Sequence, residues 1–264
     1  PQLLEQLGVK SIEKLYCDPT GHFAHNPEPL EKNLGDIMNL MKEGKADVAF
    51  VVDPDVDRLA MISEDGTMYG EEYTLVTVAD YVLRHTPGNT VSNLSSTRAL
   101  RDVTRKYGME YYASAVGEVN VVTKMKETHA IIGGEGNGGV IYPESHYGRD
   151  ALVGIALFLS HLAHEGKKVS ELRATYPPYF IAKNRVDLTP EIDVDAILAK
   201  VKEIYRDEEI NDIDGVKIDF ADKWVHLRKS NTEPIIRVYS EGSTMEAAEE
   251  IGQKIMNVIN ELAK

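Results

Sequence analysis

The sequence predicts an α/β protein with two layered α/β domains, the first of them partial, followed by a smaller α+β C-terminal domain. Helix and strand patterns alternate along residues 30–164, which is typical of layered α/β units with largely parallel strands. After Pro177 and Pro178 the pattern changes, and a double proline commonly marks a break between folded units. We therefore predict domains at residues 1–66, 67–177 and 178–264.

The first predicted domain contains a helix that leads into a buried strand. The apolar side chains of this helix recur at helical spacing: Leu30, Leu34, Ile37, Met38 and Met41. The helix is predicted to end at Gly44, and the apolar run at residues 48–52 is predicted to be the strand.

The other two predicted domains differ in the order of their elements. The second has helical patterns at residues 75–83, 99–107, 119–125 and 149–164 and strand patterns at residues 90–94, 110–113 and 129–132. The third has helical patterns at residues 194–204 and 251–262 and strand patterns at residues 215–220, 224–228 and 235–239. Helices flanking a small sheet are typical of an α+β domain.

The chain of 264 residues is strongly acidic, because 43 Asp and Glu residues outnumber 29 Lys and Arg residues and give a formal charge of −14. Such a surface repels nucleic-acid backbones and anionic lipid, so we expect neither nucleic acid nor a membrane as a partner. A single cysteine, Cys17, excludes an intrachain disulfide and favours a cytoplasmic location. An anionic ligand would need a local cluster of donors.

Three aspartates, Asp53, Asp55 and Asp57, alternate directly after the strand at residues 48–52. Carboxylates this close repel one another unless a cation lies between them, and oxygen ligands favour a hard divalent ion such as Mg²⁺. Loops at the carboxyl ends of strands are also where α/β sheets bind ligands. The pattern predicts a Mg²⁺ site, with a solvated acidic turn as the alternative.

A calcium-binding EF-hand loop would use the same aspartates together with Glu64. Arg58 occupies the position where that loop needs a glycine, and a strand rather than a helix precedes it. We therefore reject the EF-hand interpretation.

Residues 133–139 contain five glycines around Glu135 and Asn137 and follow the predicted strand at residues 129–132. Glycine lets the backbone approach a ligand closely, and a carboxylate and an amide suit sugar hydroxyls. A glycine-rich turn without any ligand is the alternative.

Residues 228–237 concentrate hydrogen-bond donors between two predicted strands. The donors are two arginines, two hydroxyl residues and an asparagine: Arg228, Ser230, Asn231, Thr232 and Arg237. Because a guanidinium binds phosphate through two parallel hydrogen bonds, the segment predicts a phosphate site. A polar hairpin turn is the alternative.

In this order the three loops resemble those of the α-D-phosphohexomutases, which include phosphoglucomutase, phosphomannomutase and phosphoglucosamine mutase. The family's metal loop, Asp-Gly-Asp-x-Asp-Arg, is matched at Asp53, Asp55, Asp57 and Arg58, with Pro54 in place of glycine. Its phosphate loop, Arg-x-Ser-Asn-Thr-Glu-Pro, is matched throughout residues 228–234. The resemblance covers nearly the whole chain.

The sugar loop of that family, Gly-Glu-x-Ser-Gly-His, is matched less completely. Gly134, Glu135 and Gly138 agree with it, whereas Asn137 replaces the serine and Gly139 replaces the histidine. Residues 116–118 are similar to a Val-Gly segment of the family that orients substrate, so the resemblance implies substrate contacts at Gly117 and Glu118.

The resemblance implies an isomerase that interconverts hexose 1-phosphate and 6-phosphate through an enzyme phosphoserine and a hexose bisphosphate. It implies Mg²⁺ on the three aspartates, a catalytic positive charge from Arg58, and sugar contacts from Glu135 and Asn137. The last domain would hold the phosphate that does not react. The Pro54 and Asn137 variants favour phosphoglucosamine or phosphomannose as substrate.

The segment that carries the phosphoserine in the family, similar to Thr-Ala-Ser-His-Asn-Pro, has no counterpart in this sequence. Residues 24–27 read Ala-His-Asn-Pro, and the chain begins at Pro1 without an initiator methionine. We therefore expect a fragment that lacks the phosphate donor and is inactive alone.

Two other functions stay open at this stage. One is a non-catalytic phosphosugar-binding or regulatory module, in which the loops serve binding alone. The other is a metal-dependent phosphatase with an aspartate nucleophile, for which Asp53 and Asp55 have the required spacing.

Overall fold

The structure is a computed structural model that describes residues 1–189, 191–230 and 233–263. The chain forms two compact units. The first comprises Pro1–Ala113 and Gly117–Pro177, and the second comprises Ser114–Val116 and Pro178–Lys264. Helices and sheets occur in both units, which confirms the predicted α/β class.

The first unit contains the helices α1 (Gln2–Gln6), α2 (Gly35–Lys42), α3 (Glu71–His85), α4 (Ala99–Lys106), α5 (Glu118–Thr128), α6 (Ala151–Glu165) and α7 (Val169–Arg173), with a 3₁₀ helix at Glu31–Asn33. Its strands are β1 (Val48–Val52), β2 (Leu59–Ser63), β3 (Thr90–Asn93), β4 (Tyr111–Ser114), β5 (Ile132–Glu135) and β6 (Gly139–Ile141). Asp150 caps α6 by accepting the N–H groups of Leu152 and Val153, which leaves fewer helix-end donors unpaired.

Strands β1 and β2 form an antiparallel two-stranded sheet that runs from the pair Val48–Ser63 to the pair Val52–Leu59. All five residues of β2 are buried, because α2, α3 and α6 all pack against this strand. In β1 only Ala49 is buried. The strand was predicted correctly, but the prediction that it is buried is wrong. The sequence did not predict β2, and this strand runs antiparallel to β1, whereas largely parallel strands were expected in this region.

The second sheet has the strand order β4-β3-β5-β6, with β3 and β5 parallel and β6 antiparallel to β5. The strand predicted at residues 129–132 begins only at Ile132 and continues to Glu135. His129 instead ends α5 in the left-handed region with φ 52°. Gly133 belongs to β5, and glycine fits there because a Cβ atom would come within 2.7 Å of Met125 Sδ.

In the described part of the second unit, an antiparallel sheet and two helices pack together around a core of apolar side chains. Its elements are β7 (Phe180–Asp187), α8 (Val194–Ile204), β8 (Glu209–Asn211), β9 (Val216–Asp219), β10 (Trp224–Lys229), β11 (Ile235–Gly242) and α9 (Met245–Leu262). The strand order is β7-β11-β10-β9-β8. Within the described ranges, no helix combines the length and apolarity needed to cross a membrane.

Candidate functional site

The predicted metal loop joins β1 to β2 and brings its three aspartates together. One carboxylate oxygen from each of Asp53, Asp55 and Asp57 lies within 4.8 Å of the other two. Asp53 is only 2% exposed, and its Oδ1 accepts the N–H groups of Asp57 at 3.1 Å and Arg58 at 3.0 Å. These hydrogen bonds fix the course of the loop.

Backbone strain is stored at the centre of the same loop. Val56 has φ 61°, and the left-handed region is unfavourable for a β-branched residue. The conformation is held because the N–H of Val56 bonds to the carbonyl of Asp53 at 3.1 Å and its own carbonyl accepts the N–H of Ala151 at 3.1 Å. The loop is thereby attached to the start of α6.

Arg58 follows the aspartates and turns its guanidinium back toward them. Its Nε donates to Oδ2 of Asp53 at 2.7 Å and lies 3.4 Å from Oδ1 of Asp57. Glu28 lies further out, 3.7 Å from Nη1 of Arg58. The structure thus brings Arg58 together with the aspartates.

The pKa values of Asp53 and Asp57 are shifted in opposite directions. Burial raises the pKa of Asp57 to about 6, and the negative charges of Asp53 and Asp55 add to the rise while Arg149 opposes it. Burial also opposes ionisation of Asp53, but hydrogen bonds from Arg58 and Asp57 outweigh it and lower the pKa of that carboxyl.

The donor set fits a hard divalent cation. Oδ1 of Asp57 is buried and accepts no hydrogen bond from the described residues. Asp57 belongs to a group of three aspartates whose carboxylate oxygens are close enough to share one ion, and oxygen ligands suit a hard cation. A divalent cation would also relieve the like-charge repulsion that raises the pKa of Asp57.

The predicted sugar loop forms the hairpin between β5 and β6, and the structure buries Glu135 there to 4% exposure. Oε1 of Glu135 accepts the amide of Asn93 at 2.7 Å and the N–H of Gly117 at 3.1 Å. Asn137 is half-buried, and its Oδ1 accepts the N–H of Gly139 at 3.1 Å. Glu135 is therefore held by several donors, while Asn137 shapes the turn.

The sugar loop is in direct contact with Leu59, the residue that ends the metal loop and begins β2. The N–H of Leu59 donates to the carbonyl of Gly138 at 3.1 Å. A Cβ atom at Gly138, which has φ +87°, would lie 2.3 Å from the carbonyl oxygen of Leu59. Glycine is needed at this position for the two loops to approach.

In the first unit, the structure adds a residue that the sequence did not indicate, Arg149. Its guanidinium forms an ion pair with Oδ2 of Asp57 and donates to Oε2 of Glu135 at 2.7 Å. Its backbone N–H donates to Oε1 of Glu118 at 2.9 Å. Arg149 therefore contacts the metal loop, the sugar loop and the Gly117–Glu118 segment. In the sequence, only the need for a positive charge among several acidic residues could have pointed to this arginine.

In the second unit, the predicted phosphate segment lies at the end of β10. Nε of Arg228 pairs with Oδ2 of Asp214 at 2.9 Å, and the same oxygen accepts the N–H of Val116 at 2.9 Å. The N–H of Ser230 donates to the carbonyl of Ile235 at 3.1 Å. Two further predicted residues, Asn231 and Thr232, lie outside the described residues.

Three arginines form a row across adjacent strands. Arg228 on β10 is directly opposite Arg237 on β11, which is directly opposite Arg185 on β7. The outer two each have an acidic partner, since Arg185 lies 3.2 Å from Asp187 and Arg228 pairs with Asp214. Sequence reasoning missed Arg185 because it did not predict β7.

The fold is that of a multidomain α/β protein, and models of three domains of one family match the chain. The descriptions are phosphoglucomutase/phosphomannomutase alpha/beta/alpha domain II at residues 1–66, alpha/beta/alpha domain III at residues 70–179 and C-terminal domain at residues 185–258. The chain belongs to the phosphoglucomutase/phosphomannomutase family, as the resemblance of its loops predicted.

Relatives with similar sequences are named as mutases of phosphorylated sugars. A phosphoglucomutase/phosphomannomutase of Thermococcus kodakarensis is 38% identical over 268 residues, which cover 100% of this chain and 58% of the relative. A phosphoglucosamine/phosphogalactosamine mutase of Sulfurisphaera tokodaii is 32% identical over 246 residues, covering 91% of this chain and 52% of the relative. The chain thus spans between half and two thirds of their lengths.

Solved structures share the fold. A phosphoglucomutase/phosphomannomutase family protein of Burkholderia thailandensis is 25% identical with a TM-score of 0.76, covering 89% of this chain and 51% of that one. An N-acetylphosphoglucosamine mutase of Aspergillus fumigatus, in complex with GlcNAc-6P and magnesium, is 15% identical with a TM-score of 0.61 and covers 82% of this chain and 49% of that one. The second likeness concerns the fold alone.

Proposed function

We propose that this chain supplies the metal-, sugar- and phosphate-binding parts of a phosphohexomutase that interconverts hexose 1-phosphate and 6-phosphate through a hexose bisphosphate. The observation that carries the proposal is the contact between the aspartate loop and the sugar loop in one unit, where Asp57 and Glu135 bind the same arginine. The names of its relatives, all sugar-phosphate mutases, support it.

We assign Mg²⁺ to Asp53, Asp55 and Asp57, whose oxygens fit a hard divalent cation. When bound, the ion would neutralise negative charge on the phosphoryl group during transfer. Arg58 would be the catalytic residue beside it, because Asp53 holds its guanidinium at the loop by a 2.7 Å hydrogen bond. A guanidinium so fixed can bind a phosphoryl oxygen without a further loss of side-chain freedom.

The sugar would bind next to the metal loop. Glu118 and Asn137 are half-buried and can exchange hydrogen bonds with hydroxyl groups. Gly117 and Glu135 complete the proposed contacts, with Glu135 held in place by the donors around it. Phosphoglucosamine and phosphomannose are the proposed substrates, in line with the names of the relatives.

The second unit would hold the phosphate that does not react. Arg228, Ser230 and Arg237 are proposed contacts, together with Asn231 and Thr232 of the same motif. A phosphate lying on the arginine row would accept paired hydrogen bonds from neighbouring guanidiniums. The only cysteine in the sequence, Cys17, is consistent with the cytoplasmic location that we propose.

The proposal is tested by assaying interconversion of the 1- and 6-phosphates of glucosamine, mannose and glucose with Mg²⁺. The full-length protein and the 264-residue chain are compared, since we propose that the phosphoserine donor lies outside this chain. We expect turnover by the full-length protein only, and loss of that turnover in Asp57→Asn. Binding without turnover by the full-length protein would instead indicate a non-catalytic module, and a trapped aspartyl-phosphate would indicate a phosphatase.

A further inference from the structure

We propose that Arg149 is a positioning residue that locks the metal loop to the sugar loop and turns one oxygen of Asp57 toward the metal. The inference deepens the proposed function and rests on it for the identity of the metal. It starts from the three carboxylates around Arg149, which belong to three separate elements of the first unit.

The contacts of Arg149 account for most of its polar atoms. Nη2 pairs with Asp57 in the loop after β1, and Nη1 donates to Glu135 at the end of β5 at 2.7 Å. Nε lies 3.5 Å from Oε2 of Glu118 at the start of α5. Because a guanidinium is planar and rigid, contacts on its separate edges fix the three carboxylates relative to one another.

The contact with Asp57 engages only one of its oxygens. Oδ2 pairs with Arg149, whereas Oδ1 is buried without a hydrogen bond from the described residues and lies 3.4 Å from Nε of Arg58. Asp57 itself belongs to the three-aspartate group. A carboxylate anchored at one oxygen cannot rotate freely. Arg149 thus sets the direction in which Asp57 presents its other oxygen to a metal, as supporting groups around metal ligands commonly do.

A second observation ties Arg149 to the sugar loop independently of charge. A Cβ atom at Gly139 would lie 2.4 Å from Cδ and 3.1 Å from Cγ of Arg149. The aliphatic part of Arg149 therefore occupies the space where any other residue at position 139 would have its side chain. Because both ends of Arg149 are held, that part cannot simply swing away.

Arg149 could affect metal binding through its positive charge or by positioning Asp57. The two roles predict opposite effects of removing Arg149, so an experiment can distinguish them. If Arg149 acted only as a nearby positive charge, its removal would strengthen cation binding by the aspartates. If Arg149 positions Asp57, its removal weakens binding even though the site becomes more negative. Lysine keeps the charge but, as a compact ammonium, cannot replace a planar fork that bridges several carboxylates.

The test is a titration of the 264-residue chain with Mg²⁺ by calorimetry, comparing Arg149→Lys, Arg149→Met and the wild-type chain. We expect both variants to bind Mg²⁺ about 10- to 100-fold more weakly, the range measured for groups that support metal ligands. Arg105→Met is the control, because Arg105 is exposed and its loss changes the net charge equally. Wild-type affinity in Arg149→Lys, or tighter binding in Arg149→Met, would overturn the inference.

A double-mutant cycle provides a readout that needs no metal. We expect Gly139→Ala to lower the urea midpoint of the chain clearly when Arg149 is present, and much less in an Arg149→Ala background. Equal effects in both backgrounds would refute the packing of Arg149 over Gly139. Failure of the wild-type chain to bind Mg²⁺ would refute the proposed function together with the metal part of the inference, whereas wild-type Mg²⁺ binding that is unchanged in Arg149→Lys refutes the inference alone.

Discussion

Arg228 and Arg237 lie directly opposite each other on neighbouring antiparallel strands, and Arg185 extends the same row beyond Arg237. Directly opposed residues of a sheet point to the same face, so the three positive charges are neighbours. Asp214 and Asp187 pair with the outer arginines, but among the described residues no carboxylate forms an ion pair with Arg237. A bound anion would remove the repulsion that the row creates.

The first prediction concerns the stability of the variant Arg237→Gln, which removes the central charge of this row. In phosphate-free buffer this change should raise the free energy of unfolding by up to about 1 kcal/mol, because like charges directly opposite destabilise a sheet. Stabilisation of the wild-type chain by inorganic phosphate should be largely lost in the variant. Urea unfolding with and without phosphate measures both effects, with Arg206→Gln as control, since Arg206 is exposed and outside the strands. A destabilised variant that phosphate protects as well as wild type would contradict the prediction.

Asp214→Ala tests whether an acid can support phosphate binding. Asp214 holds Nε of Arg228 at 2.9 Å and the N–H of Val116 at 2.9 Å, so its removal should leave Arg228 free to move. We expect affinity for a hexose phosphate to fall about tenfold, as for the loss of one charge-assisted hydrogen bond. The matched control is Asp212→Ala, because Asp212 pairs with the exposed Lys202 instead. If both variants bind hexose phosphate more tightly, Asp214 acts only by its charge.

The sequence predicted the loops better than the framework that positions them. Asp53, Asp55 and Asp57 have a spacing that indicates a common ligand, and the structure brings them together. The same reasoning expected largely parallel strands and predicted no strand after the loop, whereas β2 follows the loop and runs antiparallel to β1. Five consecutive buried residues in β2 show no alternation, and such a run does not identify its pairing partner or direction.

Partners that are distant in the sequence could not be predicted. Arg149 lies 92 residues from Asp57 along the chain, and the local pattern around it indicates only the start of a helix. Arg185 could be recognised only once β7 was known to pair with β11. The glycine-rich turn was predicted to begin at residue 133, three residues before the strand actually ends. Glycine is uncommon within strands, but Gly133 and Gly134 belong to β5.

Gly138→Ala should damage the contact between the metal and sugar loops. The added Cβ would lie 2.3 Å from the carbonyl oxygen of Leu59 and would occupy a residue with φ +87°. We expect a loss of more than about 2 kcal/mol in the free energy of unfolding, as strain and overpacking combine. Gly166→Ala is the matched control: its φ is +61° and no atom lies within 4 Å of the added Cβ, so it should cost about 1 kcal/mol. Equal losses, measured by urea unfolding, would exclude the close approach as the cause.

The last prediction concerns the acid stability of the second unit. Burial lowers the pKa of His226 to about 4, although the hydrogen bond with the carbonyl of Asp214 opposes the shift. An unfolded histidine has a pKa of about 6.5, so between these values the unfolded state binds more protons. The contribution of His226 to stability is therefore complete above about pH 6.5 and falls as the pH is lowered toward 4.

Between pH 7 and pH 5 this single group should cost about 2 kcal/mol in the free energy of unfolding. His226→Gln removes the titration while keeping a side chain that can donate to the carbonyl of Asp214, so its stability should change less over the same range. The control is His164→Gln, because His164 is exposed and belongs to the first unit. Urea unfolding, followed at several pH values by the fluorescence of Trp224, reports on the second unit directly, since Trp224 is the only tryptophan. Parallel curves for wild type and His226→Gln would show that His226 is not the group responsible.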